Sequence, residues 1–151
     1  RISRALYDPS GRGQDIRAFL LTLTADILDA SGRNDVRAEV SAPEALILAS
    51  DVTVPLALVV AESVSNAIEH GLPDRPGTIH ITLESDEGEL TLRVMDDGKG
   101  VPLGFDASAG QSLGLRIANA LAMQLGGRFA IHPRATGGTI ARLDLPLAAT
   151  C

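Results

Sequence analysis

The sequence is poor in cysteine, in aromatic residues and in long apolar runs, and each shortage excludes a class of protein. Cys151 is the only cysteine, so the chain holds no internal disulfide or multi-thiolate metal site, and we expect a reducing compartment. Aromatic residues make up 3% of the chain, which leaves no stacking platform for nucleic-acid bases. The longest apolar run, residues 54–61, contains Pro55 and is far shorter than the roughly 20 residues of a membrane span.

Positive charge is also scarce. The 13 Lys and Arg residues stand against 19 Asp and Glu residues, a net charge of −6, which argues against nucleic acid as a partner. The length of 151 residues is enough for one globular domain with a substantial core. No signal-peptide pattern opens the chain. We therefore expect a cytoplasmic domain without direct membrane contact, and, since the chain begins at Arg1, a fragment of a longer protein.

Apolar residues at helical spacing predict three helices. The first covers residues 14–30, and the second covers residues 52–70 and ends at Gly71, a residue suited to the left-handed helix-terminating position. The third covers residues 112–125 and is stopped by Gly126 and Gly127.

Alternation of apolar and polar residues predicts the strands. The clearest pair, residues 78–84 and 90–94, is joined by a turn at residues 86–88. Short strands at 36–41 and 45–48 and a closing hairpin of 129–132 with 140–145 complete the set, and residues 98–111 are predicted as a loop. These elements predict an α/β two-layer sandwich, in which three helices cover one face of a mixed, mostly antiparallel sheet.

An acid and an amide project together from the second helix. At 100° per residue, Glu62, Asn66 and Glu69 fall within about 60° of one another, and the apolar residues of the helix lie on the other side. One interpretation is a solvated polar stripe. The other is that the Asn66 oxygen binds Mg²⁺, a hard cation, while Glu62 holds a water or acts as a base.

An Asp-x-Gly-x-Gly run follows the second strand of the clear pair, at residues 96–100. Two adjacent carboxylates, Asp96 and Asp97, gain little as structure there. An ionised Asp only accepts hydrogen bonds, so it suits the exocyclic amine of adenine and rejects the carbonyl of guanine. Gly98 and Gly100 have no side chain, which suits a backbone that needs positive φ or a base that lies flat against the backbone. A glycine-rich turn is the simpler alternative.

Two further segments fit a nucleotide pocket. Gly114 lies in the first turn of the third helix, where free N–H groups and the helix dipole favour anions, and Gly110 and Ser112 precede it. Thr139 opens the last strand after two glycines, and its hydroxyl can support the adenine-binding carboxylate. Each segment alone is also explained as an ordinary turn or loop that leads into the next helix or strand. Their shared order is what predicts a nucleotide site.

In this order the four segments resemble the ATP-binding catalytic domain of bacterial sensor histidine kinases, in the superfamily shared with gyrase, Hsp90 and MutL. The superfamily resemblance is carried by residues 62–66, 96–100, 114 and 137–139. A closer resemblance, to the subfamily related to the HWE kinases, is carried by residues 75–79, 112–116 and 124–127. It covers residues 14–147; residues 1–13 resemble the end of an upstream dimerisation helix with its linker, and residues 148–151 form a tail.

The resemblance implies a Bergerat-type fold that binds ATP with Mg²⁺ and passes the γ-phosphate to a histidine on an upstream helix outside this chain, with a response regulator downstream. It implies that Glu62 assists transfer, that Asn66 holds the metal, that Asp96 reads adenine and that residues 101–111 form the ATP lid. The nucleotide-contacting residues it implies are Asn66, His70, Asp96, Gly98, Gly100, Val101, Ser112, Leu113, Gly114, Leu115 and Thr139.

The sequence departs from the family pattern in two places. Glu69 stands where the family usually has Lys or Arg, so it either faces away from the phosphates or is offset by Lys99 or Arg116. None of the three histidines matches the phosphoacceptor. Two alternatives stay open: a serine kinase that inhibits a sigma factor, which shares the Glu62-x-x-x-Asn66 pattern, and a pseudokinase or interaction module of the same fold, which Glu69 would suit.

Overall fold

The computed structural model describes residues 14–73, 75–98, 112–135 and 137–147. Within them the chain forms three α-helices, one π-helical turn and seven strands. The helices are α1 (Ile16–Ser31), α2 (Ser50–Asn66) and α3 (Leu113–Gln124), and the π turn (Ala67–Gly71) continues α2. The strands are β1 (Gln14–Asp15), β2 (Val36–Ser41), β3 (Ile47–Leu48), β4 (Gly77–Asp86), β5 (Glu89–Asp96), β6 (Arg128–Pro133) and β7 (Thr139–Pro146).

Five of these strands form one mixed sheet in the order β2-β4-β5-β7-β6. The β2–β4 pair is parallel, and the other three neighbouring pairs are antiparallel. The short strands β1 and β3 pair separately, at the start of α1. The predicted two-layer sandwich, with three helices on a mostly antiparallel sheet, is confirmed.

The core forms because the central strands alternate between apolar and polar residues. Leu83, Leu92 and Leu143 stand side by side across β4, β5 and β7, and all three are buried beneath the helices. Leu20 of α1 and Val59 of α2 fill the same layer from the other side. Burying one such side chain contributes roughly 1.5–3 kcal/mol, so this layer fixes the helices, and the site they carry, against the sheet.

The β4–β5 hairpin is confirmed and its turn has a clear physical reason. Glu87 (φ 48°) and Gly88 (φ 78°) both take the left-handed conformation. A two-residue turn of this kind matches the right-handed twist of the paired strands, and glycine adopts it without strain. The hairpin fixes the register of β5 against β4, which places Asp96 opposite Ile79.

One predicted boundary and one predicted helix terminator were wrong. The strand predicted at residues 45–48 is only Ile47–Leu48, because Ala45 takes a left-handed conformation (φ 60°) that interrupts extended backbone. Gly71 does not end the second helix in a left-handed conformation. Instead, the helix widens after Asn66, and the Leu72 N–H donates to the Ala67 carbonyl at 2.7 Å, the i→i+5 bond of a π-helix.

A buried polar network lies on the opposite face of the sheet, away from the helices. Asp144 is 4% exposed, and its carboxylate accepts from the Thr91 hydroxyl at 2.9 Å and from Arg142 at 2.9 and 3.1 Å. Burial raises the pKa of Asp144, but the bonds from Arg142 and Thr91 outweigh it and hold that pKa below its usual value. Asp144 is therefore a paired structural carboxylate.

The α2 segment and its π turn, Ser50–Gly71, are long and apolar enough to cross a membrane by length and composition, the one such segment among the residues described. Half of the segment's apolar window is buried inside the fold, and the segment serves here as the central core helix.

Candidate functional site

Asp96 is the last residue of β5 and lies on the inner face of the sheet. The alternation that buries Leu92 and Val94 continues to position 96, so Asp96 is 7% exposed at the edge of the core. Its Oδ1 accepts a hydrogen bond from the Gly98 N–H at 2.9 Å. A carboxylate offers about four lone-pair positions, so capacity remains for an N–H donor of a ligand.

Electrostatics single out the same carboxylate. Burial raises the pKa of Asp96, because a charge removed from water is disfavoured. The N–H groups of Gly98 and Thr139 and the charge of Arg134 act in the opposite direction, while the neighbouring charge of Asp97 adds to the rise. A carboxylate held in the fold at this electrostatic cost is typical of functional sites.

Three main-chain segments that carry glycine approach closely around Asp96. A Cβ at Gly71 would lie 3.1 Å from Asp96 Oδ1, and a Cβ at Gly98 would overlap the Gly71 carbonyl oxygen. A Cβ at Gly138 (φ 92°) would overlap the Asp96 carbonyl oxygen. The π turn, the end of β5 and the start of β7 therefore meet at Asp96.

Asp97 has a different role from Asp96. Its side chain is exposed, and its Oδ1 accepts from the Thr78 N–H at 3.2 Å. A Cβ at Gly77 would lie 2.5 Å from the same oxygen. Asp97 therefore ties the end of β5 to the start of β4, and the expectation that two adjacent carboxylates add little structure was wrong for this residue.

Glu62 lies where α2 meets the first turn of α3. A Cβ at Gly114 would lie 2.7 Å from Glu62 Cγ and Cδ, so the glycine is what admits the carboxylate. Ser112 caps α3, and its Oγ accepts from the Leu115 N–H at 3.2 Å. Leu115 is buried, and Leu113 is 65% exposed. The predicted anion-binding turn therefore lies directly beside the Glu62 side chain.

Asn66 lies between these two contact points. It is exposed, one turn after Glu62 on the same face of α2, and its amide makes no hydrogen bond with any residue that the structure describes. Gly71 lies nine positions after Glu62 along the same helical run. One helical run therefore connects the Glu62–Gly114 contact, the Asn66 amide and the wall of Asp96.

Glu69 does not share the face of Glu62 and Asn66, which corrects the helical-wheel expectation. A π turn holds more residues than an α turn, so each residue after Asn66 rotates less. Glu69 consequently lines a groove of about 610 Å³ together with Ser65 and Ile68. The acid that replaces the family's basic residue thus borders this groove between α1 and α2. Its neighbour His70, one of the implied nucleotide contacts, is exposed, with Nε2 3.7 Å from Glu69 Oε2.

The remaining implied residues are placed unequally. Thr139 pairs with Asp96 in the β5–β7 ladder, and its backbone N–H, rather than its hydroxyl, acts on the carboxylate. Gly100, Val101 and the lid at residues 101–111 lie outside the described residues. A second depression, of about 860 Å³, lies around the β4–β5 hairpin, away from Asp96.

Arg134 is the residue that sequence patterns missed. It follows β6, and its Nη1 donates to the Asp96 main-chain oxygen at 2.8 Å. No apolar period marks it. Its one signal is its place in the turn of the closing hairpin, four residues before Gly138.

The donors on α2 fit a magnesium ion shared with a ligand. Glu62 and Asn66 offer a carboxylate and an amide oxygen from one helix face, and Mg²⁺ typically takes one or two protein oxygens and keeps water or phosphate oxygens for the rest. Among the residues described, no three His, Cys, Asp or Glu side chains cluster closely enough to hold a metal by themselves. The fit is therefore to a metal that arrives with phosphates.

This fold, with a buried acid at the end of β5 and a glycine-led α3, is that of a family of ATPases. Residues 51–149 match the family of histidine kinase-, DNA gyrase B- and HSP90-like ATPases, and the chain belongs to that family.

Within the family, several of the similar proteins are histidine kinases. Sensor histidine kinase PdtaS of Mycolicibacterium smegmatis is 35% identical over 104 residues, 67% of this chain and 21% of that protein. Blue-light-activated histidine kinase 2 of Erythrobacter litoralis is 30% identical over 132 residues, 86% of this chain and 38% of that protein. The solved histidine kinase domain of a blue-light-activated kinase from Erythrobacter litoralis gives a TM-score of 0.76 at 29% identity, over 88% of this chain and 61% of that chain.

The domain is thus of the histidine-kinase catalytic type, and it spans about a fifth to two fifths of these curated relatives. A similarity to an anti-sigma F factor of Clostridium acetobutylicum, 41% identical, extends over only 44 residues, 29% of this chain and 31% of that protein. The serine-kinase alternative therefore has the narrower support.

Proposed function

We propose that this domain binds ATP with Mg²⁺ and delivers the γ-phosphate to a histidine on an upstream helix of its parent protein. One observation carries the proposal. The buried Asp96 carboxylate, walled by Gly71 and Gly98, is joined through α2 to a second close contact, where the Glu62 side chain meets the first turn of α3. A ligand with a hydrogen-bond donor at one end and phosphates at the other matches that arrangement.

Asp96 is the residue we assign to adenine. Its carboxylate accepts hydrogen bonds only while ionised, so it pairs with the exocyclic amine of adenine and repels a carbonyl at the same position. Gly71 and Gly98 bring main chain without side chains against the carboxylate, and the Thr139 N–H supports it from β7. Gly100 and Val101, which lie outside the described residues, stay predicted nucleotide contacts.

The phosphate end is assigned to α2 and the start of α3. The Asn66 oxygen would hold Mg²⁺, and Glu62 would orient the incoming histidine or accept its proton. Gly114, capped by Ser112, supplies N–H groups at a helix start, where phosphate is favoured. When bound, the metal neutralises charge on the transferring phosphoryl group, which is the main catalytic requirement of such transfers.

The partners are proposed because none of the three histidines of this chain matches the phosphoacceptor of the family. Its three histidines, His70, His80 and His132, lie on the surface of the domain, and His70 and His80 each have a nearby acidic residue. We infer that the phosphoacceptor is a helix of the parent or of its dimer partner, and that a response regulator takes the phosphate onward. Leu113 and Ile117, which are 65% and 43% exposed on one side of α3, would face that helix. The inferred location is cytoplasmic, without nucleic-acid or direct membrane contact.

The test is a titration followed by a transfer assay. ATP is titrated with and without Mg²⁺, and the parent protein with its upstream helix is then assayed for acid-labile phosphohistidine. Asn66→Ala should reduce metal-dependent transfer by at least about tenfold, as loss of a metal ligand commonly does. Ser65→Ala, at the adjacent position that lines the groove, should transfer at the wild-type rate.

The same assay separates the alternatives. Acid-stable phosphoserine on a sigma-factor antagonist would support the serine-kinase assignment instead. Absence of ATP binding would support a pseudokinase. Wild-type Mg²⁺-dependent transfer by Asn66→Ala would overturn the metal assignment for that residue.

A further inference from the structure

We propose that Arg134 is a positioning residue for nucleotide recognition, because it fixes the end of β5 and so the direction in which the Asp96 carboxylate points. The inference rests on the proposed role of Asp96 in reading adenine. It adds a residue that lies in the hairpin turn between β6 and β7, outside the segments matched by sequence motifs.

The first observation is the contact itself. Arg134 Nη1 donates to the Asp96 main-chain oxygen at 2.8 Å, and the Arg134 side chain is half-buried. A guanidinium donor forms a stronger bond than a neutral one. The bond spans 38 positions of sequence, so it connects two elements that the local chain does not hold together.

The second observation is that the turn carrying Arg134 is closed on itself. The Arg134 N–H donates to the Gly138 carbonyl at 3.0 Å, and the Gly137 N–H donates to the Arg134 carbonyl at 3.1 Å. Gly138 lies against the Asp96 carbonyl oxygen so closely that a Cβ would overlap it. The guanidinium therefore projects from a main chain that is itself fixed against β5.

Together these contacts hold both the main chain and the side chain of Asp96. Arg134 binds the main-chain oxygen, while the N–H groups of Gly98 and Thr139 act on the carboxylate. The charge of Arg134 also favours the ionised carboxylate, the only form that accepts from an amine through both oxygens. A change at position 134 should thus alter recognition of the base, as well as the stability of the hairpin.

The experiment compares Arg134→Met and Arg134→Lys with Arg128→Met as the matched control. Arg128 lies on β6, its side chain is 80% exposed, and it is 3.8 Å from Asp144 rather than near Asp96. Dissociation constants for ATP and for ITP, which carries a carbonyl in place of the 6-amine, are measured by calorimetry on the whole chain, together with the melting temperature.

We expect Arg134→Met to weaken ATP binding by roughly tenfold, the scale seen when the support of a ligand-binding side chain is removed, and to change ITP binding much less. Arg134→Lys, which keeps the charge and a donor, should fall between, and Arg128→Met should match wild type. As the pH is lowered, the ATP affinity of Arg134→Met should begin to fall at a higher pH than that of wild type. Without the charge of Arg134, Asp96 protonates more easily.

A merely structural role would lower the melting temperature and leave the ATP-to-ITP ratio unchanged, which would overturn the inference. If Arg134→Met does not fold, the ratio measured for Arg134→Lys decides in the same way. Asp96→Asn separates failure of the adenine assignment from failure of the inference about Arg134. If Asp96→Asn also leaves the ATP-to-ITP ratio unchanged, the adenine assignment itself fails. If Asp96→Asn removes the preference for ATP over ITP while Arg134→Met and Arg134→Lys keep it, only the inference about Arg134 fails.

Discussion

Replacing Asp96 by Asn should separate folding from nucleotide recognition. Asn keeps the shape of the side chain and an oxygen that can accept from the Gly98 N–H, but it loses the charge and presents an NH₂ group to the ligand. Burial raises the pKa of Asp96, so the ionised carboxylate is held in the fold at a cost. We therefore expect Asp96→Asn to melt at the same or a higher temperature than wild type at neutral pH.

The pH dependence has a definite sign. A group whose pKa is raised by folding contributes stability that is fully present below its unfolded pKa and is lost as the pH rises through the folded value. For Asp96 that window begins near the ordinary value of 3.8 and extends upward. The advantage of Asp96→Asn in melting temperature should therefore shrink as the pH falls toward about 4.

The loss of binding is the larger effect. A hydrogen bond to a charged group contributes roughly 1.5–3 kcal/mol, which corresponds to a rise in Kd of about 10- to 150-fold at 1.4 kcal/mol per tenfold. In Asp96→Asn the new NH₂ group faces the amine of adenine, so two donors oppose each other. We expect the rise in Kd for ATP to lie in the upper half of that range.

Calorimetric titration of ATP with Mg²⁺ measures this directly, and Asp97→Asn is the matched control. Asp97 is the adjacent carboxylate, it is exposed, and an Asn there can still accept from the Thr78 N–H. Asp97→Asn should bind ATP within about twofold of wild type, well below the tenfold that 1.4 kcal/mol gives. Wild-type ATP affinity in Asp96→Asn, or an equal loss in both variants, would refute the reasoning.

Two other substitutions probe the remaining parts of the fold. Gly114→Ala should slow phosphotransfer by about tenfold or more, because its Cβ would lie 2.7 Å from Glu62 Cγ and Cδ and displace that side chain. Stability should be retained, because the Glu62 side chain is flexible and Ala is favoured in helices; a wild-type single-turnover rate would contradict the predicted slowing. Arg142→Met should cost about 1–3 kcal/mol of unfolding free energy at pH 7 by leaving Asp144 underpaired. The pKa of Asp144 is lowered in the fold, so this stability is present above its unfolded pKa and is lost as the pH falls through the folded value. In denaturant titrations the unfolding free energies of wild type and Arg142→Met should therefore converge below about pH 4. An equal difference at every pH would contradict the pairing of Arg142 with Asp144.

Much of the sheet was predictable because strand alternation is a local property. The alternation of Ile79, Ile81 and Leu83 with polar residues, and the turn at Glu87 and Gly88, are enough to predict the β4–β5 hairpin, and the closing hairpin follows in the same way. The structure extends these strands by one or two residues at their ends. Boundaries of this kind depend on cross-strand partners, which a single segment does not reveal.

The π turn was not predictable from the same pattern. A helical wheel assumes i→i+4 bonding, so it placed Glu69 beside Glu62 and Asn66. The glycine at position 71 separately suggested a left-handed helix terminator. The i→i+5 bond from Leu72 to Ala67 changes both. It turns Glu69 toward the groove it shares with Ser65 and sets Gly71 against Asp96. The wider turn packs against the end of β5, a tertiary contact that the local pattern does not contain.

The polar partners of Asp96 were also beyond a one-dimensional pattern. The Asp-x-Gly-x-Gly run indicated the acid and Gly98, because their chemistry is local. Arg134 reaches Asp96 only through the register of β5 with β7, which pairs Asp96 with Thr139, and through the turn that precedes Thr139. Contacts that depend on the strand register between distant segments cannot be predicted until the fold is known.

The most direct test of the central claim is a crystal structure of this domain with Mg²⁺ and a non-hydrolysable ATP analogue. We predict that the exocyclic amine of adenine lies within hydrogen-bond distance, about 3 Å, of the Asp96 carboxylate, and that the Asn66 oxygen binds the metal beside the phosphates. An analogue bound elsewhere, for example in the groove lined by Glu69, with Asp96 and Asn66 both uncontacted, would contradict the account.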